Sequence, residues 1–143
     1  MPRRDDAPAL LFFAFRALTA EPDRVLSERG LGRVHHRILY FIARSPGVRV
    51  GGLLATLGVS KQALNRPLQQ LVRQGLVEAR VPPENRRAKE LRLTLEGARL
   101  ERRLTGSQRR RFRRAFGSAG AAAAAGWRDV MRRLAAPSAR AAR

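Results

Sequence analysis

Ser60, Lys61, Gln62, Asn65 and Arg66 lie within one short stretch of the chain. Their side chains can read a nucleobase edge by directional hydrogen bonds. The amides of Gln62 and Asn65 donate and accept together, which matches adenine in the DNA major groove, while Lys61 and Arg66 suit guanine or a phosphate. Ser60 is a good helix N-cap, and the helix it opens offers its positive end to a phosphate. The plainer reading is a solvated polar face on an amphipathic helix. Leu64, Leu68, Leu71 and Val72 supply that helix with a buried stripe.

A second cationic group lies further on. Arg86, Arg87 and Lys89 crowd a tip, and an arginine gains from the strong negative potential of a narrow minor groove. The alternative is a solvated turn. Arg49, Arg73 and Arg80 are candidate phosphate neutralisers, which add affinity without sequence information.

The elements that must hold these groups follow from pattern. Val50 to Leu57 reads as a helix with Leu53, Leu54 and Leu57 inward, and Gly58-Val59 as a turn. The helix opened at Ser60 stops at Gly75, a typical C′ residue. Leu76 to Val81 reads as a strand and Lys89 to Leu93 as its return. Between them Pro82-Pro83-Glu84-Asn85 must turn, because proline cannot donate to a ladder. This order of parts is that of a winged helix-turn-helix, which places a helix in the major groove and a hairpin beside it.

Helices flank this centre. Asp6 and Pro8 start one that runs to about Thr19. Glu21-Pro22 breaks it, and Arg24 to Arg29 form a further turn ended by Gly30 and Gly32. Leu10, Leu11, Phe12, Phe13, Phe15 and Leu18 make the first helix apolar on nearly all sides, so it needs partners on more than one face. A second chain is the simplest supplier; burial within one compact monomer is the alternative. Val34 to Ala43 is helical, with Val34, Ile38, Phe41 and Ile42 on one face and Leu39 at its edge. Thr94 caps a long helix whose apolar side is Leu95, Leu100, Leu104, Phe112 and Phe116. After a break at 117–120, a last helix carries Trp127, Val130, Met131 and Leu134 on one face.

The expected fold is therefore mostly α with a small β-hairpin wing, a winged helix-turn-helix framed by a dimerisation region of N- and C-terminal helices. One domain would span 1–143, with 7–43 and 95–136 mainly dimerisation helices, 48–94 the winged module and 137–143 a disordered tail. The expected dimer interface comprises Leu10, Leu11, Phe12, Phe15, Phe112, Phe116, Trp127, Met131 and Leu134.

Composition narrows the partners. Thirty Lys and Arg face eleven Asp and Glu, for a net charge of +19, which points to a polyanion. The absence of cysteine excludes disulfides, thiolate metal sites and cysteine oxidant sensing and fits a reducing cytosol; with the charge, the expected location is cytoplasmic and nucleoid-associated. No signal peptide is visible, and the apolar run Ala9 to Phe15 is far below the roughly 20 residues that span a bilayer, so no membrane partner is expected. The adjacent His35 and His36 cannot face one way on a helix, so a two-ligand metal site within one chain is not expected, nor is a cofactor; haem or zinc sensing is the weaker alternative. Phe13, His35, His36 and Tyr40 can wall a pocket for an aromatic anion, or belong to the core. Arg109, Arg110, Arg111, Arg113 and Arg114 reach flanking phosphates or form a solvated face. No phosphate-binding glycine loop, metal cluster or nucleophile–base set supports an enzyme.

The runs LGVSKQALNRPLQQLVRQGLV and PENRRAKELRLTLEG, within 32–99, resemble the MarR-type transcriptional regulators. The second run is similar to that family's wing signature, with Leu93, Thr94 and Gly97 in place. The resemblance implies a homodimer whose terminal helices interlock, each winged module reading half of a palindrome. It also implies repression relieved by a small aromatic or phenolic acid. Two departures stand out: Asn85 replaces the usual Asp that buttresses Arg87, and Pro67 lies inside the recognition helix, which must bend there or read with 60–66 alone. The sequence thus points to a sequence-specific regulator of double-stranded DNA. The runner-up is a nonspecific nucleoid-type or RNA-binding basic protein, and a third reading makes the wing a protein-interaction module. Bulk charge alone would not need Gln62, Asn65 and Arg66 on a capped helix, and the basic wing argues against the third.

Overall fold

Pro8 fits the first turn of a helix, where its missing N–H would have no partner anyway, and Asp6 just before it is extended. The computed structural model describes residues 5–85 and 87–137. Arg86, expected on the wing, lies outside the described residues, as does the expected tail beyond Pro137. The helix begun at Pro8 is α1 (Ala7–Ser27), and it does not break at Pro22, contrary to the sequence expectation. Proline removes the N–H that the Leu18 carbonyl would accept. That carbonyl instead accepts from Gln108 Nε2 at 3.3 Å, so the helix continues with its proline buried.

After α1 come α2 (Arg33–Arg44), β1 (Val48–Arg49), α3 (Val50–Leu57) and α4 (Lys61–Arg73). Strands β2 (Val77–Arg80) and β3 (Glu90–Leu93) follow, then α5 (Leu95–Ala119) and α6 (Ala121–Ala135). The sheet is antiparallel in the order β1-β3-β2. Strand β3 pairs Val77 with Leu93 and Arg80 with Glu90 on one side, and Val48 with Leu91 on the other. The sequence reading anticipated the hairpin but not β1.

The chain forms two compact units, Met1–Gln108 and Arg109–Arg143. In the first, the core is built from Leu26, Ile38, Leu39, Ile42, Leu53, Leu64, Leu71, Leu76 and Leu91. Burying each such side chain contributes about 1.5–3 kcal/mol. Helix α2 is rotated from the expected face: Leu39 is fully buried and Val34 is exposed. Val72, assigned to the buried stripe of α4, is likewise exposed. In the second unit, Phe112, Phe116 and Trp127 cluster with ring centroids 5.2–5.6 Å apart. Residues 117–119 stay helical, and the expected break is confined to Gly120, whose φ is +98°.

Two junctions fix the winged module. At the end of α4, Gly75 adopts φ +72°, and the Leu76 N–H reaches back to the Leu71 carbonyl at 3.0 Å, a Schellman closure. At the start of α5, Thr94 Oγ1 accepts from the Gly97 N–H at 3.0 Å and donates to the Gly75 carbonyl at 2.6 Å. One threonine therefore caps α5 and ties it to the end of α4. Gly97 lies against the Leu76 carbonyl so closely that a Cβ there would stand 1.9 Å from its oxygen.

Candidate nucleic-acid interface

Ser60 opens α4 as its sequence position predicts: its backbone is extended and its Oγ accepts from the Ala63 N–H at 3.1 Å. Leu64, Leu68 and Leu71 turn one side of α4 into the core. The 3.6-residue period then sends Gln62, Arg66 and Arg73 to the opposite side, where all three are exposed. Lys61 and Asn65 lie between these two sides. Pro67 does not interrupt α4, which runs through to Arg73.

Beside α4 lies a groove of about 1050 Å³, walled by α3, α4 and the hairpin. Its floor is apolar, from Leu54, Leu64, Leu68 and Leu91. Its rim is cationic, with Lys61 and Arg73 from α4, Arg49 from β1, and Arg87 and Lys89 from the wing. Asn65 also faces it. Among the described residues none of these five cations is in an ion pair, so their charge is available to a polyanion. The structure thus brings residues from separate sequence groups to one rim. Arg80 is exposed on β2 but does not line the groove.

The wing turn is organised by Asn85. Its Oδ1 accepts from the Arg87 N–H at 3.1 Å, and its carbonyl accepts from the Ala88 N–H at 3.1 Å. The neutral amide therefore shapes the backbone that presents Arg87. Sequence reasoning missed one residue on α4. Gln69 is exposed on the groove and donates from Nε2 to Asn65 Oδ1 at 3.3 Å. This contact orients the Asn65 amide; the spacing of one helical turn was the available signal.

The four residues expected around a ligand separate. A cavity of about 230 Å³ between α1 and α2 is lined by His36 and Tyr40, and also by Phe15, Phe41, Arg33 and Arg37. Phe13 and His35 do not line it. Phe13 packs edge-on against Phe12 at 5.4 Å, and His35 turns to α4. His36 Nε2 lies 3.1 Å from Thr105 Oγ1, which donates to Glu101 Oε1 at 3.3 Å. The threonine hydroxyl has one proton, so it accepts from His36 Nε2–H. Glu101 is buried and paired with Arg44, whose guanidinium also stacks on the Tyr40 ring at 3.6 Å.

Burial pushes the His36 pKa below its ordinary value; the nearby Glu101 opposes this, and Arg44 and Arg37 add to it. The unfolded chain binds a proton near pH 6.5 that the folded chain resists, so His36 removes stability as pH falls below about 6.5. His36→Gln keeps a donor for Thr105 but cannot titrate. Its unfolding free energy will fall less steeply than the parent's between pH 7.5 and 5.5, as read by urea denaturation at each pH; parallel slopes in the two proteins would exclude His36 as the source.

A capped helix with outward amides, a cationic rim and a three-stranded wing define a winged helix-turn-helix DNA-binding protein. Comparison with known proteins narrows the class. A model of the MarR family matches residues 29–88. The chain is 48% identical over 130 residues to the HTH-type transcriptional regulator PetP of Rhodobacter capsulatus, covering 91% of this chain and 78% of that one. Its fold matches the crystal structure of MarR with a TM-score of 0.69 at 26% identity, over 90% of this chain and 93% of that one. It also matches a Mycobacterium tuberculosis MarR family protein in complex with salicylic acid, with a TM-score of 0.61 at 25% identity, over 92% and 99% of the two chains. The chain belongs to the MarR family of transcriptional regulators.

No helix among the described residues is long and apolar enough to cross a membrane.

Proposed function

We propose that this protein is a sequence-specific regulator that binds a palindromic operator as a homodimer and represses transcription there. The observation that carries the reading is α4: a capped helix whose exposed Gln62 and Arg66 point away from the core and whose exposed Asn65 faces the cationic groove beside it. Lys61 and Ser60 complete its reading end, Arg49, Arg73 and Arg80 neutralise phosphates, and Arg87 and Lys89 carry the wing's charge to the minor groove. Arg86, by its sequence position, belongs with the wing.

The dimer reading rests on apolar surface. Leu10, Leu11, Phe12 and Phe15 are 42–60% exposed on α1, and Trp127, Val130 and Leu134 are exposed on α6. A monomer leaves these faces in water, and a second copy covers them. Relief by a small aromatic or phenolic acid is supported by the α1–α2 cavity, where Phe15, Tyr40 and Phe41 supply apolar walls and Arg37 supplies a cation; Arg33 also lines it but is paired there with Asp23. The similar M. tuberculosis protein was crystallised with salicylic acid.

Selection of random-sequence duplexes in excess competitor tests the proposal. Enrichment of one palindrome with half-sites about one helical turn apart supports it. Binding without enrichment, collapsing as salt rises, overturns it in favour of a nonspecific basic protein. With an operator in hand, Gln62→Ala and Asn65→Ala will each relax discrimination at one base pair per half-site, by about 1–3 kcal/mol, in competition titrations against singly substituted operators. Two variants that rank all operators as the parent does would remove α4 from base reading.

A further inference from the structure

The base-reading end of α4 is free, but its other end is held. His35 is buried at the start of α2, and its ring has a defined tautomer. Nδ1 accepts from the Gly32 N–H at 2.9 Å, so the ring proton sits on Nε2, which lies 3.0 Å from Gln70 Oε1. The Gln70 amide is thereby oriented with its Nε2 toward the Gly30 carbonyl, at 3.1 Å. One turn later, Gln74 Nε2 donates to the Arg29 carbonyl at 3.0 Å. The turn that receives these bonds is itself locked: Leu31 is buried, and its N–H closes onto the Leu26 carbonyl at 2.9 Å while Gly30 takes φ +68°.

We infer that His35, acting through Gln70, is a positioning residue for the recognition helix. Three side-chain bonds join the last turns of α4 to the junction between α1 and α2. They fix how α4 is rolled and tilted, and hence where Gln62 and Asn65 arrive on the bases. Phosphate contacts tolerate a small tilt because long cationic side chains adapt; paired amide–base bonds do not. The clasp therefore governs discrimination between sequences rather than general affinity for DNA. This role rests on the operator reading above.

The test compares the selected operator with a scrambled duplex of equal length, at one salt concentration, for the parent, Gln70→Leu and Gln70→Glu. Melting temperatures are measured alongside. Gln70→Leu is expected to lower operator affinity about tenfold, equivalent to ~1.4 kcal/mol, while scrambled-duplex affinity and the salt slope stay at the parent values. Gln70→Glu keeps an acceptor for His35 Nε2–H and loses the donor to Gly30, so it recovers part of the discrimination. A merely structural contact would lower the melting temperature and weaken both duplexes alike. That pattern, or an unchanged operator-to-scrambled ratio in Gln70→Leu, overturns the clasp alone. A parent ratio near one overturns the operator reading itself.

Discussion

Gly97→Ala will destabilise the protein by about 3 kcal/mol or more. The added methyl carbon would stand 1.9 Å from the Leu76 carbonyl oxygen and 2.8 Å from its carbon. Neither neighbour is the movable end of a side chain; both are backbone. The Leu76 carbonyl also accepts from the Thr94 N–H at 3.1 Å, and the Leu76 N–H closes the end of α4. Relief of the clash must therefore shift α5 away from β2, break the Thr94 cap, or distort the end of the recognition helix. Gly51→Ala is the contrast. It too is a helical glycine, but a Cβ there meets nothing within 4 Å, and removing the conformational entropy of glycine is worth about 0.5–1 kcal/mol. Urea denaturation of the two variants will move the midpoint in opposite directions. A Gly97→Ala protein as stable as the parent would mean that α5 is not seated on the Leu76 carbonyl.

Raising salt from about 50 to 200 mM will weaken operator binding by about 10³–10⁵-fold. The groove rim presents Arg49, Lys61, Arg73, Arg87 and Lys89 without carboxylate partners among the described residues. A dimer doubles that set, and each phosphate neutralised contributes about 0.9 to the slope of log affinity against log salt. Arg87→Ala will lower the slope by about one for each protomer and weaken all duplexes similarly. Gln62→Ala will leave the slope alone. The two variants thus separate charge from reading by one titration series. A shallow parent slope, near that of one or two phosphate contacts, would refute the assignment of the groove rim to DNA.

What the sequence made legible were features determined by neighbours close along the chain. The bounds of α3, the Ser60 cap, the Gly75 stop and the Thr94 cap each depend on residues within about one turn. The features it hid depend on partners far away. Strand β1 has two residues and no periodicity of its own; it exists because β3 lies beside it. Pro22 carries a strong local rule for breaking a helix, and the rule fails because Gln108 supplies the missing donor. The roll of α2 is hidden in the sequence because Val34 and Leu39 are both apolar, and only the packed neighbours decide which faces inward. Adjacency alone puts the two histidines on different faces. Their roles still diverge by partner: His35 reaches Gln70, and His36 reaches Thr105. Of the interface, the chemical types were readable from α4 and the wing. That the rim draws on β1, α4 and the wing together was not, because it depends on how the sheet folds back over the helix.

The bond from Gln108 to Leu18 also has a bearing on the time order of synthesis. The two residues are 90 positions apart, so α1 leaves the ribosome long before its own donor exists. Until then the Leu18 carbonyl, left without the Pro22 N–H, must be satisfied by water. A contact of such separation forms late and carries a loop-closure cost. Helix α1 is thus made before the reader yet is completed after it, and its apolar face waits unfinished while the reader is translated.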